Sequence, residues 1–218
     1  MFKCEKKSLS KSLRKNKFGI IGEYKRKSPS NPNINLKSDV EKIAKGYEKA
    51  GCAGISVLTN EKFFGGSVND LSIVKSSCNL PILRKEFIVD IFQIYESKAI
   101  GSDAILLIAS CLKKDELKSF SKIANDLDLE VLLEIHSAEE LDKIPAKNVS
   151  IIGVNNRNLN DFSVSIENSI KISNYIPKNI CKISESGISN ISSIKKLQNI
   201  GYDGFLIGEH FMKSLNPE

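Results

Sequence analysis

Residues 100–108 read Ile-Gly-Ser-Asp-Ala-Ile-Leu-Leu-Ile, and the same unit recurs at 50–58 as Ala-Gly-Cys-Ala-Gly-Ile-Ser-Val-Leu and at 200–208 as Ile-Gly-Tyr-Asp-Gly-Phe-Leu-Ile-Gly. In each, a glycine ends an amphipathic helical pattern, where a residue with positive φ closes the last turn, and a short apolar strand follows. Ahead of two of them apolar residues fall three and four apart: Val40, Ile43, Tyr47 and Ala50, then Ile91, Ile94, Tyr95 and Ala99. The unit is helix, turn, strand. Other apolar runs complete a set of eight strand centres near Ile21, Val57, Ile82, Leu106, Leu132, Ile152, Ile183 and Leu206, with helical segments between them. Strands apolar on both faces that alternate with helices imply a parallel sheet. Eight such units in this length favour closure into one α/β domain, a (β/α)8 or TIM barrel over 1–218 with strand 1 beginning near 19. An open doubly wound sheet with a nucleotide site is the alternative, but no Gly-x-Gly-x-x-Gly or Walker loop follows any strand.

The formal charge of +6 is confined to one end of the chain. The first 17 residues carry Lys3, Lys6, Lys7, Lys11, Arg14, Lys15 and Lys17 against Glu5, and the remainder is balanced. The body therefore gives no global reason to bind nucleic acid or an anionic membrane, and the basic segment 1–18 reads as a solvated helix. Five cysteines, at 4, 52, 78, 111 and 181, are an odd number without a Cys-x-x-Cys pair, which reads as reduced thiols rather than disulfides or a zinc set. No apolar run approaches the ~20 residues needed to span a bilayer, and MFKCEKK lacks the apolar stretch of a signal peptide. A cytoplasmic protein is expected.

In such a barrel the chemistry lies at the carboxyl ends of the strands. Strand 1 ends in Glu23-Tyr24-Lys25, strand 3 in Arg84-Lys85-Glu86, strand 5 in Glu134, strand 6 in Asn155-Asn156-Arg157 and strand 7 in Ser184-Glu185-Ser186-Gly187, so five strands deliver polar or charged groups to one face. Asp103 and Asp203 precede strands 4 and 8 and are expected to bond loop backbone at the opposite face. Strand alternation puts Glu23 and Lys25 on one side and Tyr24 on the other, making Glu23 and Lys25 a candidate ion pair. Taken alone the pair is as consistent with an interior salt bridge as with catalysis; Lys85, Glu134 and Glu185 converging on it favour catalysis. The Ser-Gly steps after strand 7 and Gly208-Glu209 after strand 8 suit a phosphate, held by exposed backbone N–H groups. His136 and His210 have no second imidazole at ligand spacing and read as bystanders, so neither a metal site nor a catalytic triad is expected.

The segments IIGEYKRKSPS (20–30), ISVLTNEKFFGGS (55–67), LPILRKEFIVD (80–90), SDAILLIA (102–109), LLEIHSAEEL (132–141), IIGVNNRNL (151–159), ISESGIS (183–189) and FLIGEHFM (205–212) resemble, in order, the strand-end signatures of the indole-3-glycerol phosphate synthases. The resemblance implies ring closure, decarboxylation and dehydration of an anilino-deoxyribulose phosphate, without cofactor or metal. It implies that Lys85 is the general acid at the ketone oxygen, that Glu134 is the base or acid of the dehydration, and that Glu23 and Lys25 form an assisting pair. Asn155, Glu185 and Ser186 are counted with them as catalytic. Substrate binding falls to Ser28 in the loop after strand 1, to Phe87 and Leu106 beside the aromatic ring, and to Arg157, Leu159 and Leu206. Gly187, Gly208 and Glu209 occupy the phosphate positions. A phosphoribosylanthranilate isomerase would share the barrel and the phosphate site but not this motif set, and a non-catalytic barrel would be free to lose part of it. The partner expected is a small phosphosugar, with self-association or contact with another tryptophan-pathway enzyme as further possibilities.

The chain departs from the family pattern in three places. It has only about 20 residues before strand 1, it stops at Pro217-Glu218 where an eighth outer helix usually follows, and SPSNPN stands where SPSKG is common. With Leu9 and Leu13 four apart and Phe18 beyond, the amino-terminal segment has only a weak pattern for covering strands 8 and 1; if it fails to cover them an exposed apolar strip remains, with self-association through this side or lowered stability as the expected consequence.

Overall fold

The computed structural model describes residues 7–145, 147–159, 161–214 and 216–217; Lys3, Cys4, Glu5, Lys6 and Glu218, which entered the reading of charge, thiols and terminus, lie outside them. Eight parallel strands, β1 (Ile20–Tyr24), β2 (Gly54–Leu58), β3 (Ile82–Lys85), β4 (Ala104–Ile108), β5 (Glu130–Ile135), β6 (Ile151–Asn155), β7 (Cys181–Glu185) and β8 (Gly204–Ile207), pair in sequence order. The sheet closes where Ile20, Ile21 and Gly22 pair with Phe205, Leu206 and Ile207. The α-helices run α1 (Leu9–Lys15), α2 (Val40–Lys49), α3 (Glu61–Phe64), α4 (Val68–Ser77), α5 (Ile91–Ala99), α6 (Lys114–Asp126), α7 (Glu167–Ile172), α8 (Ile191–Asn199) and α9 (Glu209–Met212), with short 3₁₀ turns at Glu139–Lys143 and Ser173–Tyr175. None of them is long and apolar enough to cross a membrane.

The repeated glycines act as the sequence implies: Gly51, Gly101 and Gly201 have φ of 78°, 94° and 87°, a region open to glycine, directly before β2, β4 and β8. Alternation then sorts each strand. Ile21, Leu83, Ala104, Leu106, Leu132, Ile151, Ile183 and Leu206 fill the barrel, whereas Ile105, Leu107, Val131, Leu133, Ile152 and Val154 pack outward under the helices. At the amino ends of the strands Asp103 accepts from Ile82 N and Asp203 from Lys182 N, so both tie loop to strand on the face away from the site. The pattern at α5 differs from expectation. Ile94 is buried there together with Ser97, while Ile91 and Tyr95 are exposed, because the buried guanidinium of Arg84 takes the helix face through Ser97 Oγ at 2.9 Å and Glu96 at 2.7 Å.

Helix α1 corrects the reading of 1–18 as a solvated arm. Leu9 and Leu13 are fully buried among barrel-interior residues, so α1 plugs the end of the barrel opposite the site. Gly54 and Gly204 make room for it, since a Cβ on either would run into Leu9 or Leu13. Ser8 Oγ, Ser10 Oγ and Ser10 N all donate to Glu130, and Ser12 Oγ donates to Ala53 O, which fixes the plug at its rim. Lys11, Lys15 and Lys17 do face solvent. Truncating Leu13 to alanine is expected to cost about 2–5 kcal/mol of stability, measured by denaturant unfolding, because neighbouring strands cannot collapse into the hole.

The expected apolar strip beside β8 and β1 is also absent among the described residues. The short α9 covers it: Met212 is 1% exposed, Phe211 packs on Tyr47 of α2 with centroids 5.9 Å apart, and Asn35 Nδ2 donates to Met212 O. Exposed apolar side chains gather instead around α5, at Val89, Ile91, Phe92 and Tyr95.

Candidate functional site

At the carboxyl end of the barrel the last inward position of each of four strands is ionised or polar: Glu23 on β1, Lys85 on β3, Glu134 on β5 and Glu185 on β7, with Asn155 of β6 beside them. Lys85 is the hub. Its Nζ donates to Glu134 Oε2 at 3.0 Å and to Glu185 Oε2 at 2.7 Å. Asn155 Nδ2 donates to Glu134 Oε1 at 3.2 Å, and Asn155 Oδ1 in turn accepts from Ser186 Oγ at 2.9 Å and from Arg157 N at 3.0 Å. Lys25 Nζ lies 2.8 Å from Glu23 Oε1, the pair anticipated from their two-residue spacing.

The charge state of the hub follows from this packing. Burial disfavours the Lys85 cation, but Glu134, Glu185 and Glu23 outweigh burial and raise its pKa. Burial also opposes ionisation of Glu134, yet Lys85, His136 and the bonds from Lys85 and Asn155 hold it below the usual carboxylate range. Glu185 is pushed up to about 7, by burial first and then by the Glu134 and Glu23 charges, with Lys85 opposing. One cation thus serves two carboxylates, and the second titrates near neutrality. Glu185 Oε1 is buried without a hydrogen-bond partner among the described residues. Gly153 leaves the space that this oxygen fills, for a Cβ there would overlap it.

The cleft above the hub has two ends. One is apolar and aromatic, with Leu58, Phe64, Phe87, Leu106, Ile108, Leu159 and Phe162 on its walls. Phe64 and Phe87 stack with centroids 6.2 Å apart, and Glu86 braces that wall by accepting from Thr59 Oγ1, Asn60 Nδ2 and Phe87 N. The other end is a recess lined by Gly187, Gly208, Glu209 and Lys213, with Glu23, Lys25, Arg157, Ser186 and Leu206 shared between the two. Ser186 and Gly187 have φ of 68° and 73°; a left-handed serine at the end of β7 is locally strained and turns the peptide toward the recess. Gly208 adjoins Glu23, whose carboxylate a Cβ at 208 would approach to 2.6 Å. Glu209 is neutralised in place: Lys213 Nζ donates to it at 2.6 Å and Asn31 Nδ2 at 3.4 Å, and Arg157 lies 3.8 Å away.

All the residues given a catalytic or substrate-binding role from the sequence therefore border this one cleft, Ser28 included, with Gly187, Gly208 and Glu209 at its recessed end. The strand-end residues Arg84, Glu86 and Asn156 serve otherwise. Arg84 and Asn156 point outward, the latter bonding Ser184, Ser169 and Ser186 O, and Glu86 binds loop backbone and side chains. Sequence reasoning missed Phe64, Asn31 and His136. Asn31 sits in the loop after β1 and Phe64 at the end of the four-residue α3, segments too short or irregular for a periodicity to place. His136 was legible, since it lies two residues beyond Glu134 and so shares its inward face. Its Nε2 is 3.6 Å from Glu134 Oε1 and its ring lines the cleft, so the histidine read from the sequence as a bystander borders the site.

Similarity to known proteins agrees with this geometry. A family model described as indole-3-glycerol phosphate synthase matches residues 2–218. The indole-3-glycerol phosphate synthase of Bacteroides thetaiotaomicron is 45% identical over 211 residues, covering 97% of this chain and 81% of its own, and that of Petrotoga mobilis is 43% identical over 220 residues, covering 99% and 87%. Among solved structures, an N-acetylmannosamine-6-phosphate 2-epimerase from Clostridium perfringens superposes with a TM-score of 0.71 at 15% identity, covering 96% of this chain and 93% of that one, a likeness of fold. Because the family match runs along nearly the whole sequence and the relatives hold their identity across it, this chain belongs to the indole-3-glycerol phosphate synthase family.

Proposed function

We propose that this chain closes 1-(2-carboxyphenylamino)-1-deoxyribulose 5-phosphate to indole-3-glycerol phosphate with release of carbon dioxide and water, a carbon–carbon lyase step of tryptophan biosynthesis. The observation that carries the reading is Lys85, kept protonated between two buried carboxylates, on the floor of a cleft that is aromatic at one end and glycine-lined at the other. The anthranilate ring lies against Phe64, Phe87, Leu106 and Leu159, and the phosphate against the turns at Gly187 and Gly208. Lys85 gives a proton to the ketone oxygen as the ring carbon attacks, which stabilises the charge developing there. The carboxylate leaves as carbon dioxide, and Glu134 exchanges the protons that let the hydroxyl depart as water. Glu23 with Lys25, Asn155, Glu185 and Ser186 hold the reacting atoms and the hub in register. Substrate and product are at the same net oxidation level once carbon dioxide and water are counted, so lysines and carboxylates suffice. We place the reaction in the cytoplasm, on a small soluble substrate.

Incubating the purified protein with this substrate and following indoleglycerol phosphate fluorescence tests the reading; folded protein that forms no product overturns it. Chelator is expected to leave the rate unchanged, and a loss restored by zinc or magnesium would contradict the mechanism. Arg157 faces both ends of the cleft and, among the described residues, its guanidinium has a 3.3 Å bond to Phe162 O and the more distant Glu209 as partners, which leaves it available to a substrate anion. Arg157→Ala should raise KM about ten-fold or more, the range for a lost hydrogen bond to a charged group, while kcat changes far less. Steady-state kinetics with KM unaltered would remove Arg157 from substrate binding.

A further inference from the structure

His136 is placed with more care than a wall residue needs. Its backbone N–H is held by Glu140 Oε2 at 2.6 Å, and its carbonyl by Asn168 Nδ2 at 3.0 Å, the same amide that bonds Asn155 O at 3.0 Å. The peptide carrying the imidazole is thus fixed to β6 and to the turn after β5, so the ring's position relative to Asn155 is set by backbone. The ring stands half-buried on the cleft wall with both nitrogens shielded, and among the described residues neither Nδ1 nor Nε2 has a hydrogen-bond partner, which leaves a donor in reserve. The nearest acceptor is Glu134 Oε1, at 3.6 Å from Nε2, just beyond bonding distance.

Glu134 explains why such a donor would be kept in reserve. Its Oε2 is held by Lys85 and its Oε1 by Asn155 at 3.2 Å, a moderately long bond. When Lys85 turns its proton toward a substrate oxygen, Glu134 loses its strongest partner and is left on Asn155 alone. A second donor already aimed at Oε1 would keep the carboxylate from swinging into the cleft, and catalytic hydrogen bonds commonly tighten only when substrate is bound.

We propose that His136 is a positioning residue for Glu134, its Nε2–H closing on Oε1 during turnover so that the carboxylate stays in place for the dehydration. This requires a proton on Nε2, which the imidazolium and one of the two neutral tautomers both carry. It rests on the role given to Glu134 above, and the test separates the two. Steady-state kinetics would compare His136→Leu, which keeps bulk without a donor, with His136→Gln, whose amide N–H reaches about as far as Nε2, and with Glu134→Gln as reference. His136→Leu is expected to lower kcat about ten-fold with KM within about two-fold, the scale of one hydrogen bond to a charged group, and His136→Gln to recover most of the loss. Three outcomes overturn the proposal. In the first, His136→Leu keeps parental kcat while Glu134→Gln is inactive, so the role of Glu134 survives and that of His136 does not. In the second, the Leu and Gln variants are equally impaired, which marks a packing role. In the third, Glu134→Gln is itself fully active, which removes the acid–base role of Glu134 and with it the need to position that group.

Discussion

Replacing Lys85 with alanine is expected to lower kcat by about two to four orders of magnitude, the range that a positioned general acid contributes. Lys25 is the next cation in the cleft, but its ammonium is committed to Glu23 at 2.8 Å, on the opposite side of the barrel mouth from Glu134. Single-turnover fluorescence kinetics at saturating substrate would measure the loss, and a near-parental kcat would end the assignment of Lys85 as the acid.

The same substitution has a second signature that kinetics would not reveal. Without Lys85, the buried Glu134 and Glu185 carboxyls face each other uncompensated, and both pKa values rise in the folded state. A carboxyl whose folded pKa lies above its unfolded value of about 4.3 binds more protons folded than unfolded across that interval. Its stabilising contribution is present at low pH and is lost as pH rises through the folded value. Glu185 already behaves so at about 7, but Glu134 is held low in the parent and would join it in the variant. The melting temperature of Lys85→Ala should therefore fall further below the parent at pH 8 than at pH 5.5. An equal deficit at both pH values would mean that the loss is one of packing.

What the sequence could and could not reveal follows from how each feature is encoded. The barrel is written locally: a glycine at positive φ, an apolar strand and an amphipathic helix repeat, and Gly51, Gly101 and Gly201 mark the repeat openly. Inward acids and bases at strand ends were legible for the same reason, since a period of two fixes the face of Glu23, Glu134 and Glu185 once the strand end is known. The same period carried past the end of β5 puts His136 on the inward face as well, although the lack of a second imidazole at ligand spacing makes it read as a bystander. Arg84 sits one residue from Lys85 and looks equally catalytic as a letter, yet it points into the α5 face, and only register distinguishes the two. The plug formed by α1 was illegible because its apolar stripe is two leucines wide. The complementary holes at Gly54 and Gly204 are remote in sequence, so nothing local announces that they meet. Asn31 reaches Glu209 across the seam between β1 and β8, a contact between the first loop and the last that depends on closure.

Glu134→Gln is expected to cost about two to four orders of magnitude in kcat, and the hydrogen-bond pattern makes it more than a neutralised charge. In the parent each Glu134 oxygen accepts: Oε2 from Lys85 and Oε1 from Asn155. An amide has one acceptor and one double donor. With its oxygen toward Lys85, its NH2 confronts the Asn155 NH2; turned about, its NH2 confronts the Lys85 ammonium. Asn155 cannot relieve the first conflict by flipping, because its Oδ1 already accepts from Ser186 Oγ and from Arg157 N, and a flip would set a donor against both. The variant must therefore leave a buried donor unpaired as well as lack a proton acceptor. Removing the Glu134 charge also withdraws one of the influences that raise Glu185, so the Glu185 carboxyl should titrate below about 7 in the variant. Stopped-flow turnover measured from pH 5 to 8 reads both effects. A strongly reduced kcat with its acid limb displaced downward fits the arrangement, whereas parental turnover in Glu134→Gln would show that the dehydration proton travels through another group.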